Sequence, residues 1–404
     1  MDLQPFDLNL RHLRSLGTII DHGSMSAAAD AIGLSQPALT QGLAKLERQL
    51  GTPLFNRAAG GVQPTTAGSV LADRATAAFA ILDAVGGARQ GRGFARPGQL
   101  VTAAQARAFL ALAAAGSFVG AAEATGLSQP ALHRAVRDLE QLWSQALVER
   151  RGRGVALTPA GYRIARAIRL AGVEIDAALA SIIAGEQRGR IAVGAMPLSR
   201  ALVLPRARAA FVAGSPRAPV DVYEGAWRDL IEPLLDGIID LTIGALRETP
   251  APNTEQEPLF VDRLAVIGRA GHPLVGCAHP SLDQLAAEGW IVGQSGAPLR
   301  RQWEEMFAGR PQPAAPIECG SVMVIRGVLT ATDLLTLLSP DQVALEIEAG
   351  VLARIGRELP VAARTIGLTT RSGWRPTAAQ SRLVDLIRLA ARETSGNVMA
   401  VPEY

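Results

Sequence analysis

Gly23-Ser24-Met25-Ser26-Ala27-Ala28-Ala29-Asp30-Ala31-Ile32-Gly33-Leu34-Ser35-Gln36-Pro37-Ala38-Leu39-Thr40 spells a short helix, a glycine turn and the start of a second helix. Ser24 is placed to cap the first helix through its side-chain oxygen, and the Ala27-Ala28-Ala29 run lets another helix approach closely. Gly33 takes up, at little steric cost, the left-handed conformation that ends a helix. Ser35 caps the next helix, with Pro37 in its first turn, where a missing N–H forfeits no bond. Two short helices joined by a tight turn make a helix-turn-helix, whose second helix enters the DNA major groove.

The stretch occurs twice. Gly116-Ser117-Phe118-Val119-Gly120-Ala121-Ala122-Glu123-Ala124-Thr125-Gly126-Leu127-Ser128-Gln129-Pro130-Ala131-Leu132-His133 repeats it 93 positions later. Residues 23–68 align on 116–161 without a gap and with 21 of 46 positions identical, so the second unit is a tandem copy of the first.

Length and composition bound the rest. At 404 residues the chain exceeds a single core, and 48% hydrophobic with 19% charged residues describes a globular protein. Cys277 and Cys319 are too few for a disulfide framework, which fits a reducing compartment, and with five scattered histidines they offer no metal site. The start, Met1-Asp2-Leu3-Gln4-Pro5, has no secretory signal, and no stretch reaches membrane-spanning length, so a cytoplasmic location away from any membrane is expected. The net charge of +3 is unevenly spread. Residues 91–170 carry eleven Lys/Arg against four Asp/Glu, whereas residues 171–404 carry 22 against 26. The basic segment is where a polyanion would be met.

Taken in order, Leu8, Leu10, Leu13, Leu16, Ile19 and Ile20 predict a supporting helix. Leu39, Leu43, Leu46 and Leu50 predict the buried stripe of the second helix of the motif, with Ala38, Thr40, Gln41 and Lys45 facing out. Arg57 to Thr65 reads as a small β-wing, and Thr66 opens a longer helix to about Val85. The same order recurs after residue 98. The expected domains are therefore 1–85, a Gly/Arg-rich flexible linker at 86–98, a second unit at 99–185 and an α/β region at 186–404. In that region strands alternate with helices, which predicts mostly parallel, doubly wound sheets. A break at Thr249-Pro250-Ala251-Pro252 divides it into a first lobe at about 186–252 plus 365–395 and a second at about 260–360.

The first helix-turn-helix, its continuation Glu47-Arg48-Gln49-Leu50-Gly51-Thr52-Pro53-Leu54-Phe55-Asn56-Arg57 and the Thr65-Thr66-Ala67-Gly68 end of the wing resemble the LysR-type transcriptional regulators. The resemblance extends over the remaining chain. It implies an α plus α/β protein: winged helix-turn-helix units with long linker helices, then a two-lobed effector domain of periplasmic-binding-protein type. The duplication is a departure, since members of this family ordinarily carry one DNA-binding unit.

The resemblance places Ser35, Gln36, Pro37, Ala38, Thr40, Gln41 and Lys45 on double-stranded DNA, with Arg57 of the wing on a phosphate. Glutamine can pair with adenine, threonine can meet a base or a thymine methyl, and lysine suits a phosphate. In the second copy Ser128, Gln129 and Pro130 repeat the helix start, while His133, Arg134 and Arg137 replace Thr40, Gln41 and Ala44. Its wing offers Arg150, Arg151 and Arg153. Such a surface favours salt-dependent binding, the other reading being a spacer or dimerisation surface. Ser144-Gln145-Ala146 stands where the first copy has Gly51-Thr52-Pro53, so a different helix end and wing angle are expected.

In the effector domain the resemblance puts Met196, Pro197, Leu198, Ser199 and Arg200 in the cleft, faced by Gln294, Ser295 and Gly296, with Ser321 and Arg326 nearby. Amides and hydroxyls at a helix N-terminus would hold an anionic effector. No catalytic set stands out: Asp229, Glu232, Asp236 and Asp240 fit helix surface and strand start, and neither an enzyme nor a cofactor is expected. The expected partners are DNA, a small effector, further copies as a dimer or tetramer, and RNA polymerase. Alternative readings are a solute-binding module and an architectural DNA-binding protein whose α/β domain only mediates assembly.

Overall fold

The computed structural model describes residues 3–58, 61–85, 96–152, 154–183, 190–196, 203–216, 218–356 and 363–397, without the side chains of 57, 58, 298 and 394–397. The first unit runs α1 (Leu10–His22), α2 (Met25–Ala31), α3 (Gln36–Leu50), β1 (Phe55–Ala58), β2 (Gly61–Pro64) and α4 (Thr66–Ala84). The second repeats it as α5 (Ala103–Ala115), α6 (Phe118–Thr125), α7 (Gln129–Trp143), β3 (Val148–Arg151), β4 (Gly154–Leu157) and α8 (Pro159–Ile183).

The capping chemistry acts as its spacing implies. Ser24, Ser35, Ser117 and Ser128 accept from Ala27, Ala38, Gly120 and Ala131 N–H, and Gly33 and Gly126 sit at φ 66° and 68°. Each hairpin is tied back to the turn before its helix-turn-helix, Val62 N–H to Gly23 O and Val155 N–H to Gly116 O, both at 2.8 Å. The two helices end with different hydrogen bonds, the Gly51 N–H donating to Glu47 O but the Ser144 N–H to Gln141 O and the Gln145 N–H to Glu140 O, yet with the same left-handed residue. Ser144 adopts the left-handed conformation at φ 51°, as Gly51 does at 70°. Glu47 holds the Leu54 N–H at 2.8 Å and Glu140 holds the Leu147 N–H at 2.9 Å, so the chain entering each wing is tied back to its helix by the equivalent bond. A side chain in that backbone region is unfavourable, so Ser144→Gly is expected to stabilise the chain by about 0.5–1 kcal/mol, read as a higher denaturant midpoint.

The units are not beads on a string. One apolar core runs from Phe6 to Leu179 through both, and α4 lies along α8. The contacts across the join are reciprocal. Arg14 of α1 donates to Val101 O at 3.1 Å, just ahead of α5, and Arg107 of α5 pairs with Asp7 at 3.0 Å, just ahead of α1. Arg14 and Arg107 are equivalent positions of the repeat. Likewise the turn at Pro97–Leu100 packs on α4, with Gln99 bonded to Asp83 at 3.1 Å, while the turn at Pro5–Asp7 packs on α8, with Phe6 against Gly172. Reciprocity of this kind defines an isologous, two-fold-like interface. Arg14 is half-buried there over the Phe79 ring, and the loss of hydration pulls its pKa down to about 10. Of the expected linker, residues 86–95 lie outside the described residues. Pro97 and Gly98 are no tether: both are buried against the first unit.

The remainder holds two five-stranded sheets. The first is built from β5 (Ile191–Ala195), α9 (Val203–Gly214), β6 (Val220–Glu224), α10 (Trp227–Leu235), β7 (Leu241–Ala245) and β8 (Thr254–Arg263). The chain then crosses to β9 (Ala265–Arg269), α11 (Leu282–Ala286), β10 (Trp290–Val292), α12 (Pro298–Met306), β11 (Ile317–Glu318), α13 (Val322–Ala331), β12 (Leu335–Leu338), α14 (Ala344–Glu348) and β13 (Leu352–Ile355). It returns through β14 (Ala363–Arg371) and α15 (Ala378–Asn397), which packs on α9. The strand orders are β6-β5-β7-β14-β8 and β11-β10-β12-β9-β13.

Three strands of each sheet are parallel, but β14, β8, β9 and β13 pair antiparallel, so the sheets are mixed rather than mostly parallel. β8 and β13 escape the sequence pattern because both are edge strands. In β8, Pro258 and the acids Glu255, Glu257 and Asp262 break the apolar alternation, and Pro258 sits at the bulge opposite Gly367, where a missing N–H is tolerated. β8 moves the boundary of the first lobe from about 252 to Arg263.

Asp240 opens β7 as a strand-start residue, buried, its carboxylate accepting the Ala192 N–H at 2.8 Å. Burial pushes its pKa up, against the Ala192 bond, Arg371 and Gln380. The folded chain therefore keeps this proton to higher pH than the unfolded one, and stability falls as pH rises from about 4 through the raised value. Thermal melts across that range are expected to show the parent declining relative to Asp240→Asn.

Candidate DNA interface and effector cleft

On α3 the buried residues are Leu39, Gly42, Leu46 and Leu50, with Leu43 only half-buried. Gly42 takes the expected place of Leu43 because the His12 ring presses on it, 2.8 Å from where a Cβ would stand. Ser35, Gln36, Pro37, Ala38, Thr40, Gln41 and Lys45 are all exposed on one surface, as are Ser128, Gln129, Pro130, His133, Arg134 and Arg137 on α7. Thr40 donates its hydroxyl to Gln36 O at 2.9 Å, which leaves its methyl and lone pairs outward. His133 stacks on Phe118 with ring centroids 3.6 Å apart, so its ring is held rigid at the surface.

Arg74, Arg166, Arg169, Arg190, Arg269, Arg364 and Arg388, in the long helices and the α/β region, all sit in ion pairs. Arg134, Arg137, Arg150 and Arg151 are exposed and have no protein partner among the described residues. These guanidinium groups, on a helix and its adjoining wing, leave that surface with uncompensated positive charge. The main chain of Arg57 lies in β1 while its side chain, like all of Arg153, lies outside the described residues. Tyr162 went unnoticed in the sequence: 60% exposed, it opens α8 and lines a hollow with Arg151. Its only signal was an aromatic placed just after the wing.

The expected cleft residues fall into different settings. Pro197, Leu198, Ser199 and Arg200 lie outside the described residues. Met196 is buried with Leu230, Leu234 and Ile239, so its side chain is core rather than lining. Gln294, Ser295 and Gly296 form an exposed loop before α12, but the Ser295 N–H is already taken by the Glu318 carboxylate. Ser321 is exposed ahead of α13. Arg326 is no free cation, since Glu346 pairs with it. The sequence reading missed Arg228, which reaches from the start of α10 in the first lobe to Gln294 Oε1 in the second, at 3.5 Å.

The other end of α10 meets the DNA-binding half. Asp236, just past its last turn, accepts from Arg166 Nε and Arg169 Nη2 of α8, both at 2.6 Å. Arg74 of α4 bonds Glu174 and the Arg375 carbonyl at 2.9 Å each, which seats the lobe across both long helices. Among the described residues no group of His, Cys, Asp or Glu is placed to hold a metal, and no helix is long and apolar enough to cross a membrane.

Comparison with known proteins agrees with this division. The family described as LysR substrate binding domain matches residues 184–392, and the bacterial regulatory helix-turn-helix of the lysR family matches twice, at 10–69 and 103–162. HTH-type transcriptional regulator GalR of Pseudomonas putida is 34% identical over 394 residues, covering 95% of this chain and 98% of that one. In fold, the chain is similar to full-length OxyR of Pseudomonas aeruginosa (TM-score 0.55, 23% identity, 72% of this chain and 94% of that one). It is also similar to ArgP from Mycobacterium tuberculosis (TM-score 0.59, 19% identity, 71% and 96%). The relatives are transcriptional regulators and not enzymes. The chain belongs to the LysR family of transcriptional regulators.

Proposed function

We propose that both winged helix-turn-helix units hold DNA and that an anionic effector, bound between two periplasmic-binding-protein-like lobes, sets how they do so. The observation that carries this reading is α10. Its first turn carries Arg228 at the cleft, and Asp236 at its end is gripped by α8. The nine-residue helix, with Pro233 near its end, directly joins the two contacts, so closure of the lobes on a ligand would move the Asp236 end against the DNA-binding pair. Full-length LysG of Corynebacterium glutamicum, similar in fold at a TM-score of 0.54 and 18% identity, is described with arginine bound as its effector. Glu318 occupies the Ser295 amide, so an anion must displace it, and Arg228 supplies a charge to greet it.

Two measurements test this. Genomic fragments captured by the full chain are expected to concentrate at discrete upstream sites; enrichment no greater than bulk DNA would contradict sequence-specific regulation. A thermal-shift screen of sugar acids and aromatic acids is expected to give a stabilising anion that alters DNA affinity. Asp236→Asn should keep the thermal shift and lose most of the effect on DNA; an unchanged effect would remove α10 from the coupling.

A further inference from the structure

Resting on that reading, we infer that one chain is itself a complete but asymmetric two-fold DNA reader, and that its operator unit joins two dissimilar half-sites in a fixed order. The reciprocal contacts of Arg14 with Val101 and of Arg107 with Asp7 set the two units about a pseudo-two-fold axis within a single chain. The Pro97–Leu100 turn on α4 and the Pro5–Asp7 turn on α8 obey the same axis. The operation that relates the units carries α3 onto α7. Two recognition helices related by a two-fold can read half-sites on one face of DNA, for which the spacing required is one helical turn, roughly 34 Å.

In a pair of identical chains that geometry demands an inverted repeat. Here the paired helices differ at the surface that would meet the bases. Thr40, Gln41, Ala44 and Lys45 of α3 stand opposite His133, Arg134, Arg137 and Asp138 of α7. Lys45 against Asp138 reverses the charge at one equivalent position, so a half-site suited to one helix is opposed by the other. Arg134 and Arg137 suit guanine edges or phosphates, and Gln41 suits adenine. The pair also carries a single effector domain, seated through Asp236 on α8, so the bound chain has a direction along the duplex. Should chains associate, the unit repeats, and its two halves stay unlike.

The test is selection of random duplexes by the full-length chain, followed by sequencing, with Gln41→Ala/Lys45→Ala and Arg134→Ala/Arg137→Ala run in parallel. These residues are exposed, and melting curves matching the parent show that the variants fold. The expected motif has two dissimilar halves about one helical turn apart in one relative orientation. Each double variant erases one half and spares the other, and replacing one half of the selected duplex by an inverted copy of the other weakens binding by the parent at least tenfold. A unit made of inverted identical halves, or two variants that erase the same half, overturns the inference while leaving DNA binding intact. No enriched motif at all overturns both the inference and the regulator reading beneath it.

Discussion

The Arg134→Ala/Arg137→Ala variant is expected to bind operator DNA one to two orders of magnitude more weakly than the parent at about 0.1 M salt, with the slope of log affinity against log salt shallower by about 2. Each arginine is exposed on α7 without a protein partner among the described residues, so its removal leaves no buried charge and opens no cavity. The loss combines the counterion release of two cations withdrawn from the DNA with the base-edge contacts they make in the second half-site. Gln41→Ala/Lys45→Ala contrasts with it. Only Lys45 is charged, so the slope changes by about 1, while the discrimination supplied by Gln41, about 1–3 kcal/mol for a bidentate adenine contact, is what disappears. Anisotropy titrations of both variants over a salt series separate the two contributions. Undiminished binding by the second-unit variant would reduce α7 to a structural copy.

Gly161→Ala is expected to destabilise the DNA-binding half by about 1–3 kcal/mol, and Gly68→Ala to do the same. A Cβ on either glycine would stand 2.0 Å from a main-chain oxygen, Leu147 O for Gly161 and Leu54 O for Gly68. Those carbonyls are not free to move, because they accept from Thr158 and Thr65 N–H at 3.0 and 2.9 Å. Thr65 and Thr158 in turn bond the Gly68 and Gly161 N–H at 3.0 Å, pinning the start of each long helix to the turn before its wing. Because one core spans both units, the damage spreads. Hydrogen exchange on Gly161→Ala is expected to show α1 and α3 of the first unit losing protection together with α5 and α7. Loss confined to the second unit would mean that the two fold separately.

The local half of this architecture was legible in the sequence because it is written in short-range chemistry. Serine caps, turn glycines and leucine spacing place the helices, and the 93-residue repeat announces the second unit. What the sequence concealed depends on contacts between distant residues. Arg14 reads as an ordinary helix-surface residue until Val101 and Phe79 close over it. Met196 looks like the edge of a cleft until Leu230 and Leu234 bury it. Arg326 looks like an anion receptor because its partner, Glu346, comes from a separate helix. Arg228 was hidden by the opposite fault: nothing local marks a helix-start arginine as the one that spans two lobes. Edge strands such as β8 carry too little buried face to show a pattern.

The central claim is that the two helix-turn-helix units pair within one chain. Asp7→Cys/Arg107→Cys, with Cys277 and Cys319 changed to serine, places thiols at a surface ion pair 100 residues apart in sequence and 3.0 Å apart in the fold. Isotopically light and heavy chains are mixed, allowed to equilibrate and joined with a short bis-maleimide. The account predicts a product of single-chain mass whose linked peptides are both light or both heavy. A product of twice that mass, with light peptides joined to heavy ones, would show that the pairing is made between chains and would contradict it.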